Sequence, residues 1–427
     1  MPTEMYPRFI TRGLLTALGD TPIAVLHGPR QAGKSTLARH IAEHDHPATY
    51  FTFDDPTVLA TVSGDPTGFL ANTPGCLVLD EIQRVPELIL PIKAEVDRDR
   101  RPGRFLLTGS ANLMQLPKLA DAFVGRMEIH TLLPLSQGEI EGMREGFIDA
   151  LFATKAPPWP ASGTAELGTL SRTDLARRIL AGGYPEAIAR PESERSRWFE
   201  SYLSTVMLRE IRDLANIEGL VDLPRLLVAV AGRAGGITNY AELGRDVGLN
   251  QVTVKRYLTL LTATFLLRPV SPWFTNRITR IVKSPKLYFG DAGLLAHVLG
   301  ATADRFAADP KLAGVLLETF VATELLKQIS WSHTKPSLWH FRDHRGHEVD
   351  FVLEPRGARQ IVGIEVKNKA TLDTDDFRGL KVLAAAAGER FHRGVVLYTG
   401  AQALPFGKQM YALPIAALWR LGAKRVG

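Results

Sequence analysis

The stretch Gly28-Pro-Arg-Gln-Ala-Gly-Lys-Ser35 decides the fold of the N-terminal part of this 427-residue chain. It follows the pattern G-x-x-x-x-G-K-[ST] of a phosphate-binding loop. The apolar segment IAVLHG leads into the loop and is typical of a buried strand, and the segment STLARHIAEH continues from it with a helical pattern. A strand, a glycine loop and a helix in this order turn backbone N–H groups toward a phosphate at the start of the helix.

The loop predicts binding of ATP together with Mg²⁺. Gly28 and Gly33 allow the backbone to curl around the phosphates, Lys34 brings a positive charge to the β- and γ-phosphates, and the Ser35 hydroxyl is a magnesium ligand. The alternative is a chance glycine-rich turn, which the flanking strand and helix disfavour. The predicted nucleotide contacts are Gly28, Pro29, Arg30, Gln31, Ala32, Gly33, Lys34, Ser35 and Thr36.

A second apolar strand, Cys76-Leu-Val-Leu-Asp80-Glu81, ends in two carboxylates. In a parallel sheet such a strand end lies beside the phosphate loop. We therefore expect Asp80 to hold Mg²⁺, directly or through water, and Glu81 to polarise the water that attacks the γ-phosphate.

Two further positions are candidates for contact with the nucleotide. The segment RFLLTGSANLM (104–114) predicts a strand with a polar end, where Ser110 or Asn112 would contact the γ-phosphate or the attacking water; a plain turn with a helix cap is the alternative. Arg126 is a candidate arginine finger, acting within the chain or on a neighbouring subunit. A solvated surface arginine is the alternative.

The composition is that of a folded, multidomain protein. Hydrophobic residues make up 45% and charged residues 22%, which excludes global disorder. The single cysteine excludes a disulfide framework and a cysteine-rich zinc site. We see no signal peptide and no membrane span, so we expect a cytoplasmic protein without a membrane partner.

The chain divides into three predicted domains and a linker. Residues 1–150 alternate strands and helices and predict an α/β domain with a P-loop NTPase fold. Residues 151–171 are rich in Ala, Pro, Gly and Ser and predict a linker. Residues 172–300 predict a helical, winged-helix middle domain, and residues 301–427 an α/β C-terminal domain.

Residues 237–268 have the pattern of a helix-turn-helix, with Gly248 in the turn and Asn250 as the cap of the second helix. No acidic residue occurs between Asp246 and Asp291, so this part of the sequence carries positive charge only. The pattern predicts binding of duplex or branched DNA; a winged helix that serves only for packing is the alternative. The candidate DNA contacts are Gln251, Thr253, Lys255, Arg256, Arg277 and Arg280.

The C-terminal part predicts a metal-dependent hydrolytic site. Asp350 in HEVDFVL and Glu365 in IVGIEVK fall on adjacent strands, and Lys367 shares a face with Glu365 because side chains alternate along a strand. Two carboxylates can bind Mg²⁺ and the lysine can activate water; Glu318 on the preceding helix could add a third carboxylate. The alternative is a salt-bridge ladder of Glu and Lys on one sheet face.

The N-terminal constellation resembles the AAA-type ATPase domain of a prokaryotic family in which this domain precedes a C-terminal domain of uncharacterised function (DUF4143-type). The matching pieces run from residue 27 to residue 295: HGPRQAGKST, LVLDEIQRVPEL, FLLTGSANLM, VGRMEIHTLLPLS, AGGYPEA and KSPKLYFGDAGLL. The resemblance implies ATP binding and hydrolysis, and it allows homo-oligomer formation.

The C-terminal motif resembles the PD-(D/E)XK nuclease superfamily through Asp350 and Glu365-Val-Lys367, with Glu318 as the helical acid. Val349 stands where the motif has proline. Two functions are therefore open. One is a DNA-binding ATPase whose ATP turnover is coupled to a nuclease-like domain; the other is a nucleotide-switched regulatory ATPase whose nuclease-like domain is catalytically inert.

Overall fold

The computed structural model describes residues 5–110, 122–154, 167, 170–212, 220–274, 284–357 and 360–425. Its N-terminal part is a parallel sheet of five strands in the order β2-β3-β4-β1-β5. The strands are β1 (Ile23–His27), β2 (Thr49–Thr52), β3 (Leu77–Asp80), β4 (Phe105–Gly109) and β5 (Met127–Thr131). The helices around them are α1 (Thr11–Asp20), α2 (Lys34–His40), α3 (Pro56–Gly64), α4 (Pro66–Ala71) and α5 (Ile89–Arg98).

Alternation along the strands gives the sheet two apolar faces. In β1, Ala24 and Leu26 pack with α1 and α2, whereas Ile23 and Val25 pack with α3, α4 and α5. Both faces are therefore covered by helices, as is usual for parallel sheets. This confirms the predicted α/β domain with a P-loop ATPase fold.

The next elements are mostly helical. They are α6 (Gln137–Glu141), β6 (Met143–Arg144), α7 (Phe147–Phe152), α8 (Arg172–Ala181), α9 (Pro185–Ala189), α10 (Glu192–Thr205), a π-helical segment Val206–Ile211, α11 (Leu223–Ala231), α12 (Tyr240–Val247), α13 (Gln251–Ala263), β7 (Leu267–Val270) and β8 (Lys286–Phe289). Strands β7 and β8 pair antiparallel.

Between α12 and α13, Gly248 has a φ of 74°, and Asn250 caps α13 by accepting the Thr253 N–H at 2.9 Å. The two helices predicted for residues 237–268 are thus present and are followed by a hairpin.

The C-terminal part is built on a mixed sheet of six strands in the order β13-β14-β12-β11-β10-β9. Its elements are α14 (Ala292–Val298), α15 (Ala303–Ala308), α16 (Pro310–Trp331), β9 (Pro336–Arg342), β10 (Glu348–Pro355), β11 (Ile361–Lys367), α17 (Arg378–Ala387), β12 (Phe391–Tyr398), β13 (Leu404–Pro405), β14 (Met410–Pro414), α18 (Ala417–Arg420) and β15 (Lys424–Arg425). Strand β10 pairs antiparallel with β9 and β11, and β12 pairs parallel with β11 and β14. Strand β15 returns to pair with β6.

One apolar core joins the middle and C-terminal parts. It includes Tyr184 and Leu261 from the helical part and Phe320, Phe351 and Trp419 from the C-terminal part. Both predicted domains, 172–300 and 301–427, therefore contribute to this core, and a second cluster that includes Val349 and Phe377 is formed almost entirely by the C-terminal part. Most of the predicted linker 151–171 lies outside the described residues, and its first two residues end α7. Among the described residues, no helix is long and apolar enough to cross a membrane.

A buried ionic network joins the N-terminal part to the long helix α16. The first three N–H groups of α6 donate to Glu324 at 2.9 Å, to Glu145 at 2.8 Å and to Ser136 at 3.0 Å. Lys327 donates to Glu324 at 2.7 Å and to the Leu135 carbonyl at 2.9 Å. These contacts satisfy the orphan N–H groups of the helix start, and one of the three acceptors, Glu324, comes from another part of the chain.

Candidate functional site

The phosphate loop connects β1 to α2 at the carboxyl edge of the sheet. Gly33 adopts a left-handed φ of 93° immediately before α2. At Gly28 a side chain is excluded, since a Cβ there would lie 2.1 Å from the Leu132 carbonyl oxygen on the chain that leaves β5. Both glycines of the motif are thus required by the local backbone.

Lys34 is held inside the loop. Its side chain is buried, and its Nζ donates to the Gly28 and Pro29 carbonyls at 3.1 and 2.9 Å. Burial lowers the pKa of Lys34, and the nearby carboxylates, with Glu81 first among them, partly oppose this shift. When a nucleotide binds, the Lys34 ammonium can donate to phosphate oxygens in place of these loop carbonyls.

Asp80 ends β3 beneath the loop and accepts four hydroxyl groups. Ser35 Oγ lies 2.9 Å from Oδ1, and Tyr50 Oη and Thr52 Oγ1 lie 2.8 and 3.1 Å from Oδ2; the Thr108 hydroxyl also donates to Oδ1. Burial, followed by the Asp80 charge, raises the pKa of Tyr50 to about 12. Asp80 and Ser35 are therefore adjacent, and oxygen donors of this kind fit a Mg²⁺ ion brought by a nucleotide.

Glu81 belongs to a second hydrogen-bonded network at the same carboxyl edge of the sheet. Its backbone is left-handed, with a φ of 59°, and its N–H donates to Thr108 Oγ1 at 3.2 Å. Its carboxylate accepts a hydrogen bond from the Gln83 amide, which also lies 3.3 Å from Ser110 Oγ. The side-chain amide of Gln83 thus links Glu81 to Ser110. The other candidate, Asn112, lies outside the described residues.

The helical part contacts the loop through an ion pair. Arg30 pairs with Glu210, which lies in the π-helical segment that continues α10 and is only 1% exposed. Burial raises the pKa of Glu210, and Arg30 opposes the shift. Next to this pair a cavity of about 510 Å³ opens between Gln31 of the loop, Thr36 of α2 and the helices α9 and α10, with Tyr202 in its wall.

Arg126 does not reach this site within the chain. It precedes β5, at the edge of the sheet opposite the phosphate loop, where its carbonyl accepts the Ile23 N–H. Its guanidinium lies 2.7 Å from Asp97 of α5. The geometry does not fit an intrachain arginine finger, because the position that starts a parallel strand is a strand length away from the position that ends it.

The C-terminal candidates do come together. The Asp350 N–H lies 3.4 Å from Glu365 Oε2, and the Val366 N–H donates to Asp350 Oδ2 at 2.9 Å. Lys367 Nζ lies 2.6 Å from Glu365 Oε1. Asp350 and Glu365 are nearly buried, and burial, followed by the Asp350 charge, raises the pKa of Glu365 to about 8.

The centre of this cluster is Lys286, which belongs to the stretch without acidic residues between Asp246 and Asp291. Lys286 Nζ lies 3.2 Å from Glu318, 3.4 Å from Asp350 and 3.8 Å from Glu348. Burial and the Asp350 charge raise the pKa of Glu318 to about 7. In the described part of the chain, no group of three or more His, Cys, Asp or Glu side chains is arranged to hold a metal ion. The predicted metal site at Glu318, Asp350 and Glu365 therefore does not fit this arrangement.

The predicted DNA contacts lie at the start of α13. Gln251, Lys255 and Arg256 are exposed and Thr253 is partly exposed, although Lys255 Nζ also lies 5.2 Å from the ring of Tyr240. Arg277 and Arg280 lie outside the described residues.

Family models match three successive parts of the chain. Residues 20–141 match the model described as an AAA domain, residues 172–305 match a domain of unknown function (DUF8612), and residues 313–418 match a domain of unknown function (DUF4143). The chain thus contains an ATPase domain of the AAA, P-loop class, as the motifs predicted, followed by the predicted C-terminal domain of uncharacterised function.

Relatives of similar length accompany these matches. The chain is 29% identical over 413 residues to the uncharacterized protein Rv2008c of Mycobacterium tuberculosis and, equally, to the uncharacterized protein Mb2031c of Mycobacterium bovis, covering 96% of this chain and 84% of each relative. Among solved structures, the Walker-type ATPase PABY2304 of Pyrococcus abyssi matches with a TM-score of 0.42 and 13% identity, over 70% of this chain and 97% of that one. A signal transduction ATPase with numerous domains, PH0952 of Pyrococcus horikoshii, matches with a TM-score of 0.21 and 10% identity, over 78% of this chain and 49% of that one.

Proposed function

We propose that this protein is a Mg²⁺-dependent, ATP-hydrolysing switch, in which the nucleotide acts on the helical part of the chain through the Arg30–Glu210 pair. The observation that carries the proposal is that a buried carboxylate from the helical part neutralises an arginine of the phosphate loop. Phosphate oxygens brought to the loop would compete with Glu210 for the same guanidinium. Nucleotide binding would then leave Glu210 without its partner, which is costly for a buried carboxylate.

The hydrolytic step follows from the residues at the strand ends. Lys34 would hold the β- and γ-phosphates, Ser35 and Asp80 would hold Mg²⁺, and Glu81 would orient the attacking water. Gln83 and Ser110 would fix the Glu81 carboxylate. A phosphate-release assay tests this part: we expect turnover by the wild type that requires Mg²⁺, and none by Lys34→Ala.

Hydrogen exchange tests the switch itself. In the wild type, a non-hydrolysable ATP analogue with Mg²⁺ should change the amide protection of residues 192–211. In Glu210→Gln the analogue should still bind but produce a much smaller change, because the neutral amide no longer competes with phosphate for Arg30. Glu186→Gln is the matched control, since Glu186 lines the same cavity but is exposed and pairs with Arg190 at 3.4 Å. Unchanged protection in the wild type at saturating analogue would contradict the proposal.

A second candidate function is DNA binding, favoured by the exposed polar start of α13. The positive charges there would release counterions from a duplex or a branched DNA, and the binding would weaken steeply with salt. The double variant Lys255→Ala/Arg256→Ala should lower the affinity for labelled DNA and flatten the salt dependence in a fluorescence anisotropy titration. Equal affinity of this variant and the wild type would exclude α13 as the DNA-binding element.

A further inference from the structure

The ionic cluster around Lys286 in the C-terminal part differs from the metal-dependent site that the sequence motif predicts. Lys286 is the first residue of β8, and only 2% of it is exposed. Its ammonium faces Glu318 of α16 and both Glu348 and Asp350 of β10. A strand of the helical part therefore delivers a positive charge into the acidic end of the C-terminal sheet.

The surrounding groups are arranged around this ammonium. Tyr288, two residues further along β8, donates to Glu318 Oε1 at 2.6 Å, the same oxygen that Lys286 contacts. The remaining oxygen of Asp350 already accepts the Val366 N–H at 2.9 Å. The lysine, the tyrosine and a backbone amide thus contact Glu318 Oε1 and both Asp350 oxygens, which a divalent cation at this place would need.

A metal ion cannot easily be added to this arrangement. A Mg²⁺ bound to Glu318 and Asp350 would lie about 2.0–2.1 Å from each oxygen. The Lys286 ammonium is within 3.4 Å of both side chains, so the two cations would occupy nearly the same space and repel each other at low dielectric. The Lys286 side chain is buried, so displacing its ammonium requires the side chain to change rotamer among packed neighbours and to leave three acidic partners.

We infer that Lys286 is the resident cation of this cluster and takes the position of a divalent metal, so that the cluster is an ionic junction between β8 and the C-terminal sheet and not a metal-dependent nuclease site. The consequence reaches beyond the ATPase function. Carboxylates that would bind the catalytic metal ion in a nuclease instead attach β8 to α16 and β10 through Lys286. On this inference the cluster around Lys286 does not cleave DNA.

Binding of Mn²⁺, followed by electron paramagnetic resonance on the full chain without nucleotide, tests the inference. We expect the wild type to bind no Mn²⁺ that depends on Asp350. Lys286→Ala should gain one equivalent of bound Mn²⁺, and the double variant Lys286→Ala/Asp350→Asn should lose it again. Lys369→Ala is the matched control: Lys369 lies in the same domain, contacts Asp376 at 2.6 Å and is 40% exposed.

Two outcomes would overturn the inference. One is Mn²⁺ binding by the wild type that Asp350→Asn abolishes, especially if the wild type also cleaves labelled duplex DNA in Mn²⁺. The other is a folded Lys286→Ala variant, judged by circular dichroism, that binds no Mn²⁺. If Lys286→Ala does not fold, Lys286→Gln replaces it, because the amide keeps hydrogen-bonding groups while removing the charge.

Discussion

The dependence of folding stability on pH should be set in part by Glu145, whose buried carboxyl lies against the first turn of α6. One of its oxygens accepts the Gly138 N–H at 2.8 Å, and the other is buried without a hydrogen-bond partner among the described residues. Burial first, and the charge of Glu324 second, raise the pKa of Glu145 from 4.5 to about 8. The folded protein therefore holds a proton on this group that the unfolded chain has already released.

The sign and size of the effect follow from linkage. A pKa that is higher in the folded state gives a stabilisation that is complete below the unfolded pKa and is lost as the pH rises through the folded value. For one group with these two pKa values, the free energy of unfolding falls by about 2.5 kcal/mol between about pH 5.5 and about pH 7.5. Glu145→Gln cannot release a proton and should remove this contribution.

Chemical denaturation at the two pH values measures the difference. We expect the free energy of unfolding to fall with pH less steeply in Glu145→Gln than in the wild type, and the variant to be the more stable protein at the higher pH. The exposed Glu87→Gln is the control and should keep the wild-type dependence. The reasoning is refuted if wild type and Glu145→Gln show the same pH slope.

Two other substitutions test the loop and the ionic network. Gly28→Ala should abolish binding of a fluorescent ATP analogue because the added methyl group meets the Leu132 carbonyl. The control Gly19→Ala should bind the analogue normally, since its methyl group meets no atom within 4 Å. Tight binding by Gly28→Ala would show that the loop adapts. Lys327→Met should lower the free energy of unfolding by about 3–5 kcal/mol because it leaves the buried Glu324 charge unpaired. Adding Glu324→Gln to Lys327→Met should restore part of this loss in the same denaturation assay, and a single variant as stable as the wild type would contradict the network.

The nucleotide site could be predicted because its signals are local. Gly28, Gly33 and Lys34 lie in one short motif, and Asp80 ends an apolar run, so the parallel-sheet rule alone places them together. Tyr50 was missed: nothing in the sequence around it indicates that its hydroxyl meets Asp80.

The contacts between parts of the chain could not be predicted. Glu210 lies 180 residues from Arg30, in a segment with charges of both signs, so any of several acids could have been its partner. Lys286 belongs to a stretch without acidic residues, which favoured DNA as the partner, yet the chain folds it against three acids that come later in the sequence. Charge patterns along a sequence do not reveal which charges tertiary structure will bury together.

The core that the helical and C-terminal parts share limits how this protein can change by recombination. Leu261 of α13 and Phe320 of α16 belong to the same packed cluster, so α13 cannot be exchanged for a relative's helix without repacking the long helix α16. Homologous chains should therefore inherit the two parts as one piece. The ATPase sheet, in contrast, has both apolar faces covered by its own helices, so its attachment to the rest of the described chain depends more on ionic contacts such as Glu324 with α6.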